Sequence, residues 1–391
     1  MDPKQTPKQA ADRRLTSDTA ALIDLSHRIH STPELAYEEV RSSGWIADLL
    51  EDGGMKVERG AYGLETAFEA SAGRGRRKVI FCAEYDALPE IGHACGHNII
   101  AASSAGAGLA LSSLADDLDL SVTVLGTPAE EGGGGKVDLL RAGAFEAVDL
   151  AMMVHPFPFN AVDMAFLARS NLTVTYHGKE AHASAFPEAG VNALDAVTIA
   201  YTAINALRQH IRSTERIHGI IVHGGDASNV IPAMTVARFG VRARTLEDLA
   251  PLTERVSNCF KAGALATGCE VEITSEDHDY AEVVNNPFVS GVFERNFVAL
   301  GRNPLPKSDL ERFAASTDMG NVSLEVPSIH PMVGLNSLPA VNHQADFAAH
   351  CVGPDGDAAI IDSARAMAHT VIDIATSPGA FEKIREEFER G

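Results

Sequence analysis

The stretch "HACGHN", His93 to Asn98, sets His93, Cys95 and His97 within five positions. Other residues of the same character stand apart from it: Asp86 in "AEYDALPEIG", Glu130 and Glu131 in "GTPAEEGGGGK", and His155 in "MMVHP". Cysteine and imidazole suit zinc, manganese or a neighbouring transition metal. Ligands drawn from separate segments fit a catalytic site better than a structural one, since structural zinc usually comes from paired local cysteines. Two adjacent glutamates allow a division of labour. One binds metal, and the other takes a proton from water whose pKa the metal lowers from about 15.7 to about 7. Two other readings use the same residues. Cys95 could be a thiol nucleophile with His97 as base, although groups two positions apart seldom aim at each other without a third group to orient them. A catalytically silent metal-binding scaffold explains the ligands but leaves the spare glutamate idle. The glycine run is no phosphate loop, because that pattern needs Gly at 130 and Ser or Thr at 137, where the chain has Glu130 and Val137.

The elements that must hold these residues read as an α/β sheet. Three continuous apolar runs, Lys78–Ala83, Leu120–Gly126 and Asp149–Val154, have the pattern of buried parallel strands. Helix-length stretches, Asn98–Leu114 and Lys136–Ala142, lie between them. Asp86, the Glu130–Glu131 pair and His155 each follow one run, at the carboxyl ends of strands, where open α/β sheets bind ligands. Helical periodicity covers Ser17 to His30, and the polar residues before it read as a frayed terminus. Near Arg169 the pattern changes. An alternating strand "NLTVTYHG", a helix from Val191 to Arg212, the strands "HGIIVHGG" and "TVARFGVRAR", a helix from Leu249 to Thr267 and the strand "CEVEITSE" follow. That is the order of a ferredoxin-like unit. The expected organisation is a catalytic domain in two segments, 1–168 and 281–391, with an inserted α+β domain over 169–280; the second catalytic segment includes a final helix near Asp357–Ala375.

Composition narrows the function further. With 391 residues, 45% apolar and 22% charged, the chain is an ordinary globular protein too long for one core. A formal net charge of −21 argues against nucleic acid. No apolar run approaches the length of a membrane span, and five scattered cysteines point to a reducing cytoplasm rather than a disulfide framework.

Seven pieces in order resemble the aminoacylase/carboxypeptidase family of dinuclear metallohydrolases, in the amidohydrolase branch that uses Cys-Gly-His. They are "HRIHSTPELAYEE", "AEYDALPEIGHACGHN", "GTPAEEGGGGK", "MMVHP", "VTYHGKEAHASAFPEAGVNALDA", "GGDASNVIPAMTVARFGVRART" and "ASTDMGNVS". Asn98 stands where many members have aspartate, and "STDMGNVS" replaces a SEDF-type stretch. Both departures resemble the sub-branch of aminobenzoyl-glutamate hydrolases and β-alanyl-lysine-type dipeptidases. The resemblance implies two divalent ions per subunit, zinc, manganese, cobalt or nickel, with Cys95 bridging them. His97 and His155 would complete one metal, and Glu131 with a late histidine the other. His343, just ahead of a closing helix, is preferred for that place, with His330 as a substrate-pocket residue. Glu130 would be the general base, and Asp86 would orient a ligand. His182 in "GKEAHAS" would polarise the scissile carbonyl from a neighbouring subunit, and Asn229 would hold the amino-acid part of the substrate. Arg244, with Arg242 expected on the same strand face, is a candidate for a substrate carboxylate. The expected activity is hydrolysis of the amide of an N-acyl amino acid, a dipeptide or a related small amide. The expected assembly is a homodimer through the inserted domain.

Overall fold

The computed structural model describes residues 5–275, 278–310 and 313–390. They form two compact units: residues 5–165, 283–310, 313–314 and 318–390 in the first, and 166–275 and 278–282 with 315–317 in the second.

Helix α1 (Pro7–His30) starts earlier than its periodicity suggests. The Thr6 hydroxyl accepts the Gln9 amide while the Gln9 side chain accepts the Thr6 amide, a reciprocal cap. Ala11 and Leu15 are buried along its inner face. The segment read as frayed is therefore helical from Pro7, and residues 1–4 lie outside the described residues. Next come α2 (Val40–Asp52), β1 (Lys56–Arg59), β2 (Phe68–Ala72), β3 (Arg77–Ala83) and α3 (His97–Ser112). They are followed by β4 (Leu120–Gly126), α4 (Gly135–Arg141), β5 (Leu150–Met152) and β6 (His155–Phe157).

The second unit supplies β7 (Ala168–His177), α5 (Ala193–Leu207), β8 (Arg216–His223), β9 (Met234–Ala243), α6 (Leu246–Thr267) and β10 (Glu270–Thr274). The chain returns with α7 (Pro287–Ala299), α8 (Met319–Glu325), β11 (Ser328–Ile329) and β12 (Met332–Gly334). It ends with α9 (Ala345–His350), α10 (Pro354–Thr376) and α11 (Ala380–Arg390).

In the first unit one mixed sheet runs β1-β2-β4-β3-β5-β11. The three apolar runs are its centre: β3 pairs in parallel with both β4 and β5, and β11 adds in parallel to β5. The antiparallel β1 and β2 extend one edge. Strand β1 has no buried-strand pattern in the sequence because "KVER" is polar and mostly exposed. Helix α3 is buried from His97 to Leu111 and is made of small residues for a steric reason. A Cβ at Gly108 would meet the Val124 side chain at 2.2 Å, and one at Gly106 would crowd Leu22 and Ala364 at 3.0 Å.

The second unit is an antiparallel sheet in the order β10-β7-β9-β8, with α5 and α6 on one face. Alternation along β7 buries Leu172, Val174 and Tyr176 against Val197, Ile204, Val256 and Phe260. The connectivity strand–helix–strand–strand–helix–strand and this strand order are ferredoxin-like. Strand β9 ends at Ala243, one residue before Arg244, which is exposed.

Candidate metal centre

Glu84, Tyr85 and Asp86 leave the end of β3 fully buried. Gly96 then takes a φ of 82° between Cys95 and His97, and a Cβ there would lie 2.8 Å from the Pro156 ring. Glycine thus lets the chain turn sharply into α3 with His97 as its first residue. His97 Nδ1 donates to Asp86 Oδ1 at 2.8 Å, which fixes the tautomer and leaves Nε2 as a lone-pair donor. The other Asp86 oxygen accepts the Glu131 amide at 2.8 Å, so a single buried carboxylate orients two neighbours from different segments.

His155 follows β5 and turns Nδ1 to the Pro156 carbonyl at 2.8 Å, while its Nε2 sits 3.5 Å from Cys95 Sγ. His343 has a φ of 67° and is pinned by its amide to the Ala94 carbonyl at 2.9 Å. Its Nε2 lies 3.4 Å from Glu131 Oε1. Among the described residues the outcome is three donor groupings, Cys95–His97–His155, Cys95–Glu131–His343 and His97–Glu130–Glu131, each with its atoms within 4.8 Å of one another. Cys95 belongs to the first two. His97 Nε2 and Glu131 Oε1 are buried with no hydrogen-bond partner, an arrangement that costs about 1–3 kcal/mol per group unless something else satisfies them. Soft sulfur, imidazole and carboxylate converging around unpaired buried atoms fit divalent transition-metal ions.

Proton affinities diverge within the cluster. Burial pushes the Glu130 carboxyl well up, aided by the charges of Glu84 and Glu131. Glu131 is held low: His343 and His97 overcome the effect of burial. Neighbouring carboxylates with opposed affinities are the usual signature of a base beside a ligand. Burial pushes His155 down to about 4, keeping it neutral as a ligand must be. Burial and Glu131 push the Cys95 thiol well above its ordinary value. The thiol-enzyme reading loses support from this. Burial keeps Cys95 as the thiol, a far weaker nucleophile than the thiolate.

Charged residues that the sequence reading passed over also lie here. Lys136, fully buried at the start of α4, donates to Glu84 Oε1 at 2.5 Å and to Asp318 Oδ1 at 2.7 Å. Glu84 Oε2 is 3.5 Å from His97 Nε2. Their only sequence signal was a lysine ending a glycine run. His330 is buried beside His155, with ring centroids 5.6 Å apart, and its amide donates to Asn285 Oδ1 at 2.8 Å. Among the described residues, neither His330 nor His93, which stacks on His30 at 6.1 Å, belongs to a donor grouping.

His182 and Asn229 lie in the second unit, on paired exposed loops. Residue 182 bridges Val230, and the Ala183 amide donates to the Asn229 carbonyl at 3.0 Å. The Ser184 and Ala185 amides donate to His182 Nδ1 at 3.3 and 3.2 Å, so the ring proton sits on Nε2, at the exposed side chain.

The family model for the peptidase dimerisation domain matches residues 169–267. An Xaa-Arg dipeptidase of Mus musculus is 41% identical over 397 residues, spanning 98% of this chain and 92% of the relative. The Xaa-Arg dipeptidase of Homo sapiens is 38% identical, spanning 93% and 88%. Among solved structures, the YXEP protein of Bacillus subtilis, described as a dinuclear metal binding peptidase from the M20 family, superposes with a TM-score of 0.69. It is 20% identical and covers 92% of this chain and 99% of its own. The chain belongs to the M20 family of peptidases. It is an enzyme that hydrolyses amide bonds, which removes the silent scaffold from consideration. No helix among the described residues is long and apolar enough to cross a membrane.

Proposed function

We propose that this enzyme is a dinuclear metal-dependent dipeptidase that releases a basic amino acid from the carboxyl end of a small amide. The observation that carries the reading is the pair of donor groupings sharing Cys95, with Glu130 alongside. Cys95, His97 and His155 would hold one ion, and Cys95, Glu131 and His343 the other. Zinc, manganese, cobalt and nickel all suit this set. When bound, the ions would activate water and polarise the scissile carbonyl. Asp86 keeps His97 in its ligand tautomer. Glu130, with its raised proton affinity, takes the proton of the attacking water and returns it to the departing amine nitrogen. Two dipeptidase relatives named for arginine, similar over nearly the whole chain, support the basic leaving residue. Asn229 and Arg244 are proposed to hold the amino-acid portion and its carboxylate.

A substrate panel tests this reading. It holds Xaa-Arg, Xaa-Lys and neutral dipeptides, N-acyl amino acids and aminobenzoyl-glutamate, each run as purified, after chelation, and after return of manganese or zinc. Turnover should be strongest on the basic dipeptides, vanish with chelator and return with metal. Chelator-resistant turnover that thiol alkylation abolishes would place Cys95 in the nucleophile's role instead. A strict preference for N-acyl neutral amino acids would sink the substrate assignment alone.

The protein is further proposed to be a homodimer through the inserted unit, which the family model over 169–267 supports. Strand β8 lies at the edge of its sheet and exposes Ile220 and Val222 at 65% and 50%, an edge that natural proteins rarely leave bare. In the dimer, His182 would donate from Nε2 to the oxyanion at a neighbouring copy's centre. Val222→Lys should give a folded monomer by sedimentation, with kcat lowered at least tenfold. A monomer with full turnover would remove both the dimer requirement and this role of His182. Five free cysteines support a cytoplasmic setting, which recovery from an oxidising extracellular fraction would contradict.

A further inference from the structure

The segment Pro33–Glu39 takes no part in the reaction proposed above, yet it stitches together the turns that carry it. The Glu34 carbonyl accepts the Ala87 amide at 2.8 Å, one residue beyond Asp86. The Tyr37 hydroxyl donates to Asp138 at 2.6 Å. Its ring covers Gly133, where a Cβ would approach to 2.4 Å and φ is already +114°. Glu39, fully buried ahead of α2, reaches furthest: its Oε1 accepts the Ala129 amide at 2.8 Å.

Ala129 has a φ of +60°, a left-handed conformation that a residue with a Cβ avoids unless its surroundings impose it. The turn around it is tied at several points. Thr127 donates its amide to the Ala83 carbonyl at 2.7 Å, and the Ala129 carbonyl accepts the Gly134 amide at 2.9 Å. Glu130 projects from the middle of this turn. The amide before it is held by Glu39 and the amide after it by Asp86 Oδ2. Two buried carboxylates from different segments therefore grip the backbone on either side of Glu130.

We propose that Glu39 is a positioning residue for Glu130, holding through the Ala129 amide the strained turn that aims the base. The proposal rests on the reading of Glu130 as general base. Without the acceptor, a buried amide is orphaned and Ala129 relaxes towards negative φ, which swings the next side chain off its line. Glu131 keeps its own anchor on Asp86, so metal binding is spared. Substrate affinity is spared as well, because Glu130 handles a proton rather than the ground-state substrate. Burial, and the charge of Asp86, raise Glu39 to about 7, and both its neutral and charged forms keep an oxygen for Ala129. Glutamine can supply the same acceptor.

The test compares Glu39→Gln, Glu39→Leu and Glu39→Asp in the metal-loaded enzyme, with Glu130→Gln as reference, reading kcat, KM and bound metal per chain. Glu39→Leu should lose about 30- to 100-fold in kcat, the size expected for a misplacement near 1 Å, with KM and metal content within twofold of wild type. Glu39→Gln should recover to within about fivefold of wild type. Should the leucine variant fail to fold, Glu39→Asp, one methylene too short to reach Ala129, replaces it with the same expectation. Full kcat in both the Leu and Asp variants overturns the proposal, as does a Gln variant no better than Leu. If Glu130→Gln itself retains wild-type turnover, the reading of the base has failed rather than the positioning by Glu39.

Discussion

Glu130→Gln should lower kcat by about three orders of magnitude, within the roughly 10²–10⁴-fold range for removal of a positioned general base. Glutamine preserves the shape of the side chain and its place on the turn but cannot take a proton. Glu131, not Glu130, belongs to the grouping with Cys95 and His343, so the variant should still bind two ions per chain by isothermal titration. Glu131→Gln gives the contrast. Its ligand oxygen is compromised, and the loss should appear as weakened binding of one ion, with kcat recovering when metal is raised. The opposed proton affinities of the two carboxyls are the physical basis for this split. Glu130 is pushed up by burial and its carboxylate neighbours, while Glu131 is held down by two imidazoles. Turnover within fivefold of wild type in Glu130→Gln would end the base assignment. A lost metal in the same variant would move Glu130 into the ligand set, as the grouping with His97 and Glu131 allows.

Much of the frame was legible because its signals are local. Continuous apolar runs marked β3, β4 and β5, and polar residues starting within four positions of each run's end marked strand ends facing the site. That is how Asp86, the glutamate pair and His155 were nominated before their separation in space was known. His343 follows only from the family resemblance, whose last ligand precedes a closing helix; nothing local foretells its φ of 67° or its amide bond to Ala94. The buried charges escaped for a different reason. Pattern reading treats a charged residue as a solvent marker, and Glu39, Glu84, Lys136 and Asp318 are all buried. Each is tolerable only because of a partner distant in sequence: Lys136 meets Glu84 across 52 positions and Asp318 across 182, and Glu39 meets Ala129 across 90. Sequence periodicity has no term for such a pairing.

Lys136→Met should cost about 3–5 kcal/mol of stability, the usual penalty for removing one partner of a buried ion cluster. Methionine fills most of the lysine volume, so the loss is electrostatic rather than a cavity. The ammonium donates to Glu84 and Asp318, and the Lys136 amide donates to the second Asp318 oxygen at 2.9 Å. Burial alone would favour the neutral amine, but Asp318 and Glu84 reverse that and hold the lysine firmly charged. Burial likewise disfavours the Glu84 carboxylate, and Lys136 more than offsets it, so Glu84 titrates below its ordinary range. Glu84 therefore stabilises the wild-type fold above that range and loses the contribution as pH falls through its depressed folded value. Without the lysine the sign inverts. Glu84 and Asp318 become unpaired buried carboxyls with raised affinity, so the folded variant binds protons that the unfolded chain has released, and its stability falls as pH rises from about 4 towards neutrality. In urea titrations of the metal-free protein, the deficit of Lys136→Met should thus be smaller at pH 5 than at pH 8. Adding Glu84→Gln should restore part of it by removing one stranded charge. A deficit under about 1 kcal/mol would mean that water or a rearranged partner satisfies the two carboxylates. A deficit equal at both pH values would assign the loss to packing, and the lysine would then serve as filler instead of as the counter-charge beside His97 and Glu130.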